Sequence, residues 1–377
     1  METIGSTTAH RPMRIAQIAP LAESVPPKLY GGTERVVAWL VDELIDLGHD
    51  VTLFASGDSA TRADLVPVWP RALRLGRQRT DPMCAQMALL EAISRRAREF
   101  DVIHSHVDWI HLPLLHRSGV PFLTTFHGRL DLAGLPSAIE LFPRAPFISI
   151  SEHQRLPLRE AHWLGTVYHG LPETALRPSF APGSYLAFLG RLTAEKGPEI
   201  AIRIARAAGV QLRMAAKVPR SNSAYFKEKL EPLVDGDQVQ ITGEVDDRAK
   251  QEFLTNAAAL LFPIQWPEPF GLVMIEAMAC GTPVIAFRHG SVPEVIDEGI
   301  SGFIVETENE AVQAIKRLPV LDRRKVRQAF ERRFTAQRMA KDYVRHYRGL
   351  LSAEHHHATH LHRRQTEQGA STGLQEV

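Results

Sequence analysis

Two carboxylates, Glu268 and Glu276, stand with seven residues between them in the stretch 263–286, PIQWPEPFGLVMIEAMACGTPVIA. Leu272, Val273, Met274, Ile275, Ala277, Met278 and Ala279 surround Glu276 with apolar side chains on every side, which predicts a helix buried in a core. Gly281-Thr282-Pro283 ends it, with glycine just past the last turn and proline soon after. A glutamate in such a helix loses hydration, so Glu276 is either paired inside the protein or turned toward a polar ligand such as the two hydroxyls of a ribose. Glu268 lies ahead of the helix, beside the backbone N–H groups of Phe270, Gly271 and Leu272, which can hydrogen-bond an anionic or hydroxyl-rich group. The plainer alternative makes Glu276 half of a buried salt bridge and Glu268 an ordinary acid at a helix start.

Further groups with chemical potential recur where a strand gives way to a helix. FLGRLTAEKGPE sets Arg191 and Lys196 in one loop after Gly190, where a planar guanidinium fork and a point charge can both grip phosphate oxygens; solvated surface cations are the alternative. His127, in TTFHG, closes a strand of the first half and is followed by glycine at the strand's carboxyl end. His104 and His106 in DVIHSH share one face of a strand and, with Asp108, could mimic a metal site. Gly31-Gly32, in KLYGGTERVV, opens a helix whose N–H groups and positive dipole end suit a phosphate or sugar; the alternative is a tight turn capped by Thr33. It is not the G-x-G-x-x-G of a dinucleotide site.

The elements that must position these groups alternate along the chain. RIAQIAP, DVTLFAS, DVIHSH, VPFLTTFHG and PFISIS are short buried strands, and Val36, Val37, Leu40, Val41, Leu44 and Leu47 form the apolar stripe of a helix over 34–48. A second set runs through SYLAFLGRL, the helix EIAIRIARAAG, QLRMAA, VQITGEV, AALLFPI, PVIAF and GFIV. The pattern predicts two Rossmann-like doubly wound domains in tandem, 13–175 and 176–332, with the Pro/Gly-rich 170–183 between them. Ligands of such sheets bind beyond the strands' carboxyl ends, so two facing domains would enclose a cleft. An amphipathic helix follows over 331–353, while 1–12 and 354–377 read as disordered.

Composition narrows the function classes. A chain of 377 residues suits two domains, and 44 Lys plus Arg against 43 Asp plus Glu gives no case for nucleic acid. Only Cys84 and Cys280 occur. With no apolar core in the first twelve residues to make a signal peptide, they argue for a reducing, cytoplasmic setting, and no run approaches a membrane span.

Taken in order, the E-P-F-G-L-x-x-x-E-A-M-A-x-G-x-P-V stretch and G-R-x-x-x-x-K-G resemble the retaining glycosyltransferases of family 4, over roughly 13–352. The resemblance implies the GT-B architecture: two Rossmann-like domains facing a cleft, with the C-terminal helix (333–353) crossing back to the N-terminal domain, acceptor on the first domain and nucleotide sugar on the second. It implies transfer of a hexose from a nucleoside diphosphate sugar, UDP-glucose first and GDP-mannose second, to a hydroxyl acceptor, with retention and without a metal or other cofactor. On it, Glu276 holds the ribose and Arg191 and Lys196 the diphosphate; Glu268 with the Phe270–Leu272 backbone holds the sugar, and His127 flanks the reacting carbon. It leaves open peripheral contact with the inner face of a membrane, since many relatives use lipid-linked acceptors. Two departures bear on the donor: Ala216 before Lys217, and Gly290-Ser291 in RHGSVPE, each where relatives commonly carry an additional glycine; a methyl group at such a close backbone approach would narrow the base or phosphate pocket. The rivals are a nucleotide-sugar 2-epimerase of the same fold, an inactive nucleotide-sugar-binding protein, and a nicotinamide dehydrogenase, the last disfavoured by the missing glycine fingerprint.

Overall fold

The apolar runs become strands, and the strands form two sheets. The computed structural model describes residues 11–28, 31–74, 81–217 and 223–353, so the disorder expected for 354–377 and for all but the last two residues of 1–12 lies outside the described residues. The first sheet contains β1 (Arg14–Ile18), β2 (Asp50–Ser56), β3 (Asp64–Trp69), β4 (Val102–Ser105), β5 (Phe122–Thr125), β6 (Phe147–Ser149) and β7 (Trp163–Thr166), in the order β3-β2-β1-β4-β5-β6-β7. The second contains β8 (Tyr185–Arg191), β9 (Leu212–Lys217), β10 (Val239–Gly243), β11 (Ala257–Phe262), β12 (Val284–Phe287) and β13 (Gly302–Val305), in the order β10-β9-β8-β11-β12-β13. β1 pairs in parallel with β2 and β4, and β8 with β9 and β11. Both sheets therefore reverse their strand order beside their first strand, the doubly wound arrangement in which ligands sit beyond the carboxyl ends at the reversal.

The strands that sequence patterning misses are β3 and β7. Both lie at the edges of the first sheet and are half-buried, and β3 contains Pro67, so neither offers the buried apolar run that marks a central strand. The expected helix at 34–48 spans Gly32–Asp46 and buries Val36, Val37, Leu40, Val41 and Leu44.

One expectation for the C-terminal part is corrected. Instead of a single helix over 331–353, the helix Arg323–Arg333 stops, and a second runs over 336–353. The break has a hydrogen-bonding cause: Leu171 N–H donates to Phe334 O at 3.0 Å and Ala336 N–H to Leu171 O at 2.9 Å, which takes backbone groups at the break into strand-like pairing.

The chain divides into two compact units. The first runs to Thr125, takes in Arg144–Phe147 and resumes at Ala340; the second comprises Phe126–Pro143 and Ile148–Met339. The last helix thus returns to the first unit from Ala340 on. There Tyr347 Oη accepts from Gln17 Nε2 at 3.0 Å and shares a 2.7 Å hydrogen bond with His104 Nδ1. His104 Nε2 meets Thr125 Oγ1 at 2.8 Å, Thr125 Oγ1 meets Tyr343 Oη at 3.1 Å, and His106 Nε2 donates to Gln17 Oε1 at 2.8 Å. His104 and His106, which share a strand face as their spacing requires, are therefore core hydrogen-bonding groups at the carboxyl ends of β1 and β4. Among the described residues no cluster of three or more His, Cys, Asp or Glu is placed to hold a metal ion, and no helix is long and apolar enough to cross a membrane.

Candidate active site

The second sheet reverses between β8 and β11, and the loops leaving these two strands bring charge together. β8 ends at Arg191, and a tight turn, Ala194–Lys196, follows. β11 ends at Phe262 and leads into 263–271. Gln265 N–H donates to Glu195 O at 2.8 Å, which ties the loops together, and Lys196 Nζ meets Glu268 Oε2 at 2.5 Å. This ion pair is 15% and 12% exposed, sheltered but reachable. Lys196 also stands 5.3 Å from the centre of the Trp266 ring, within cation–π range. Arg191 approaches Glu195 at 3.4 Å and remains 38% exposed. Arg191 Nε, Thr193 Oγ1 and Trp266 Nε1 are buried and find no hydrogen-bond partner among the described residues. Unmet donors around a sheltered ion pair are an arrangement that a polar, anionic ligand would complete.

The loop that carries Glu268 is held from behind. Ser291 N–H donates to Glu268 O at 3.0 Å, and Ser291 Oγ donates to Phe270 O at 2.8 Å. Gly290 has φ 57, and a Cβ there would fall 2.3 Å from Glu268 O and 2.4 Å from Glu268 N, so only glycine fits. Gly271, at φ 78, caps the helix Leu272–Ala279. The N–H groups of Gly271 and Leu272 find no backbone acceptor among the described residues and remain available at the positive end of the helix.

Within that helix Glu276 is buried, and it is paired: Lys250 Nζ, from the helix Asp247–Thr255, lies 2.7 Å from Glu276 Oε1 and 3.1 Å from Asp247 Oδ1. The plainer alternative for Glu276 is thus realised at one carboxylate oxygen. Its side chain keeps 8% of its surface accessible. Each acid of the motif has a lysine of its own, brought from a different element.

His127 lies two residues past β5 and groups with the second unit, not the first. Its ring stacks on His169, with centroids 5.1 Å apart and 15° between planes, and His169 meets Phe270 edge-on at 4.9 Å. Desolvation pushes the His127 imidazole down to about 3 and the buried His169 well below the usual histidine range, so both rings are neutral at pH 7. His127 is therefore positioned to exchange hydrogen bonds, not to supply a cation.

The remaining expectations divide. Gly190, paired with Ala216 across β8 and β9, has no atom of the described residues within 4 Å of where a Cβ would sit. Ala216 is 4% exposed in the hydrophobic core of the second sheet, so its methyl group is absorbed by packing and does not narrow a pocket. Gly31 and Gly32 belong to the first unit, and the cluster around Lys196 belongs to the second. Neither uses positive φ: Gly31 is extended at φ 172 and Gly32 begins the helix, with Gly31, not Thr33, in the capping position. The need for glycine at 31 comes from close approach, since a Cβ would fall 2.7 Å from Pro27 Cβ.

Sequence reasoning missed Lys250, Trp266 and His169. His169-Gly170 repeats the His-Gly signal of His127-Gly128 a few residues after a strand, and that signal could have found it. No pattern announces Lys250, 26 residues from its partner.

Comparison with known proteins bears on the family and the fold. The family described as "Glycosyl transferases group 1" matches residues 178–336, and the one described as "Glycosyltransferase Family 4" matches 30–170. A D-inositol 3-phosphate glycosyltransferase of Mycolicibacterium smegmatis is 26% identical over 378 aligned positions, covering 84% of this chain and 86% of that one. The enzyme of that name from Saccharomonospora viridis is 29% identical over 261, covering 56% and 59%. Among solved structures, AviGT4, a glycosyltransferase involved in avilamycin A biosynthesis, is 26% identical with a TM-score of 0.69, covering 91% of this chain and 99% of its own. Anabaena HepE, solved with UDP and glucose, shares the fold at 19% identity and a TM-score of 0.69, covering 89% and 100%. With its two doubly wound sheets and the acidic motif at the second reversal, the chain belongs to the family 4, group 1 glycosyltransferases of GT-B fold.

Proposed function

We propose that the protein transfers a hexose from a nucleoside diphosphate sugar to a hydroxyl acceptor, with retention of anomeric configuration and without a metal. The observation that carries this reading is the Lys196–Glu268 ion pair at the β8/β11 reversal, ringed by unmet donors on Arg191, Thr193 and Trp266. Lys196 and Arg191 take the diphosphate, whose negative charge grows as the glycosidic bond breaks, so their attraction is strongest in the transition state. Glu268 and the Phe270–Leu272 backbone take sugar hydroxyls, and Gly190 leaves room for the phosphates beside β8. Glu276 takes ribose hydroxyls on the carboxylate oxygen that Lys250 does not occupy. Neutral His127 bonds the sugar near the reacting carbon, and Gly31 and Gly32 offer a helix start to an acceptor oxygen.

With no protein nucleophile assigned, the leaving phosphate accepts the proton of the attacking hydroxyl on the face from which it departs. UDP-glucose is the first donor to test, GDP-mannose the second; the UDP and glucose in the HepE structure support that order. The names of the sequence relatives make a polyol phosphate the first acceptor to try.

Thermal shift with UDP-, GDP- and ADP-sugars, followed by product analysis of the best binder with and without inositol 3-phosphate, tests the reading. Transfer or slow donor hydrolysis, insensitive to a chelator, is expected. Release of an epimerised sugar nucleotide would establish the epimerase instead, and binding without turnover the inactive protein.

A further inference from the structure

Lys250 sits outside the family motif, yet its ammonium touches the motif's second acid. The pair is sheltered, 13% and 8% exposed, and the third member, Asp247, is 65% exposed. Lys250 is fixed by its helix, whose start is capped by Asp246 accepting from Ala249 N–H at 2.8 Å. Glu276 is fixed by a helix whose other buried positions, Met274, Ile275, Ala277, Met278 and Ala279, offer it no polar group. Glu276 Oε1 is thus committed to Lys250 at 2.7 Å, whereas Oε2 takes no hydrogen bond among the described residues and is not among the buried unmet atoms. One oxygen is tethered and the other is presented.

We infer that Lys250 is a positioning residue for nucleotide binding: it anchors one carboxylate oxygen of Glu276 so that the other meets the vicinal hydroxyls of a nucleoside diphosphate's ribose. The inference rests on the assignment of Glu276 to ribose made above. A carboxylate among apolar neighbours with no cation beside it is poorly solvated and unfixed in direction. Lys250 removes both faults while leaving an acceptor face open. The affinity that comes from ribose hydroxyls should therefore depend on Lys250, and the affinity that comes from base and phosphates should not.

The test compares the tightest binder among UDP, GDP and ADP with its 2′,3′-dideoxy form by calorimetry. The proteins are the unmodified chain, Lys250→Met, Glu276→Gln and the double variant, each checked for cooperative unfolding. The unmodified protein is expected to prefer the ribose form roughly 150-fold or more, the size of two hydrogen bonds to a charged group. Lys250→Met should cut that preference to about threefold or less while leaving the dideoxy affinity within about twofold, and in the Glu276→Gln background it should change nothing further. If Lys250→Met does not unfold cooperatively, Lys250→Gln takes its place with the same readouts. Equal weakening of both nucleotides, or an unchanged preference, overturns the inference and leaves the pair structural. A missing preference in the unmodified protein, or one that survives Glu276→Gln, overturns the ribose assignment and the inference with it.

Discussion

The two sheets reverse their strand order in the same way, but the polar groups at the two reversals have opposite fates. At β1/β4, Gln17, His104, His106, Thr125, Tyr343 and Tyr347 are buried and satisfy one another, with the tyrosines supplied by the returning C-terminal helix. At β8/β11, Lys196, Glu268 and Arg191 stay partly accessible, and buried donors beside them lack acceptors. A closed polar network stabilises and specifies a fold, while an open one stores binding capacity. The same strand order thus yields a structural junction in one unit and a candidate ligand site in the other.

This contrast can be broken by four measurements. The largest effect is expected from Lys196→Ala or Arg191→Ala, each lowering turnover a hundredfold or more, about 3 kcal/mol of transition-state stabilisation. Unchanged turnover in both would make the open site as structural as the closed one. At the closed network, Tyr347→Phe leaves His104 and Gln17 short of a partner and should cost about 2 to 3 kcal/mol in urea unfolding, with turnover below the transition held within about twofold. A large loss of turnover at full stability would contradict the division of roles.

Acid should act through stability. Burial pushes His111, packed in the first unit, down to about 4, and lowers His127 and His169 in the second. Between that value and the ordinary histidine pKa near 6.5, the unfolded chain binds more protons than the folded one, so stability falls as pH drops through this window. For His111 alone the loss between pH 7 and pH 5 is about 2 kcal/mol. A flat unfolding free energy over that range would show the ring to be hydrated. The smallest effect belongs to Ser291→Ala, which removes one buried hydrogen bond to Phe270 O: about 1 kcal/mol of stability and a few-fold rise in the donor KM, with kcat nearly unchanged.

Much of this was legible in the chain. Central strands such as β8 and β11 are continuous apolar runs, and the sequence between Pro263 and Ala286 places both acids correctly relative to the helix Leu272–Ala279. What escaped reading depends on tertiary partners. The edge strands β3 and β7 owe their conformation to neighbours, and the break at Phe334 exists because Leu171 pairs there. Lys250 looks like any helix-surface lysine until Glu276 is opposite it. The narrowed pocket expected from Ala216 failed because the direction of its methyl group, into the core, is set by the sheet, which spacing along the chain does not reveal.

Gly290 and Ser291 carry a practical consequence for redesign. Because Gly290 approaches Glu268 too closely for an added carbon and Ser291 bonds the backbone of Glu268 and Phe270, segments 263–271 and 288–292 behave as one cassette. A chimaera made to alter donor choice should exchange both segments together; transplanting either alone would import a loop whose clasp was left behind.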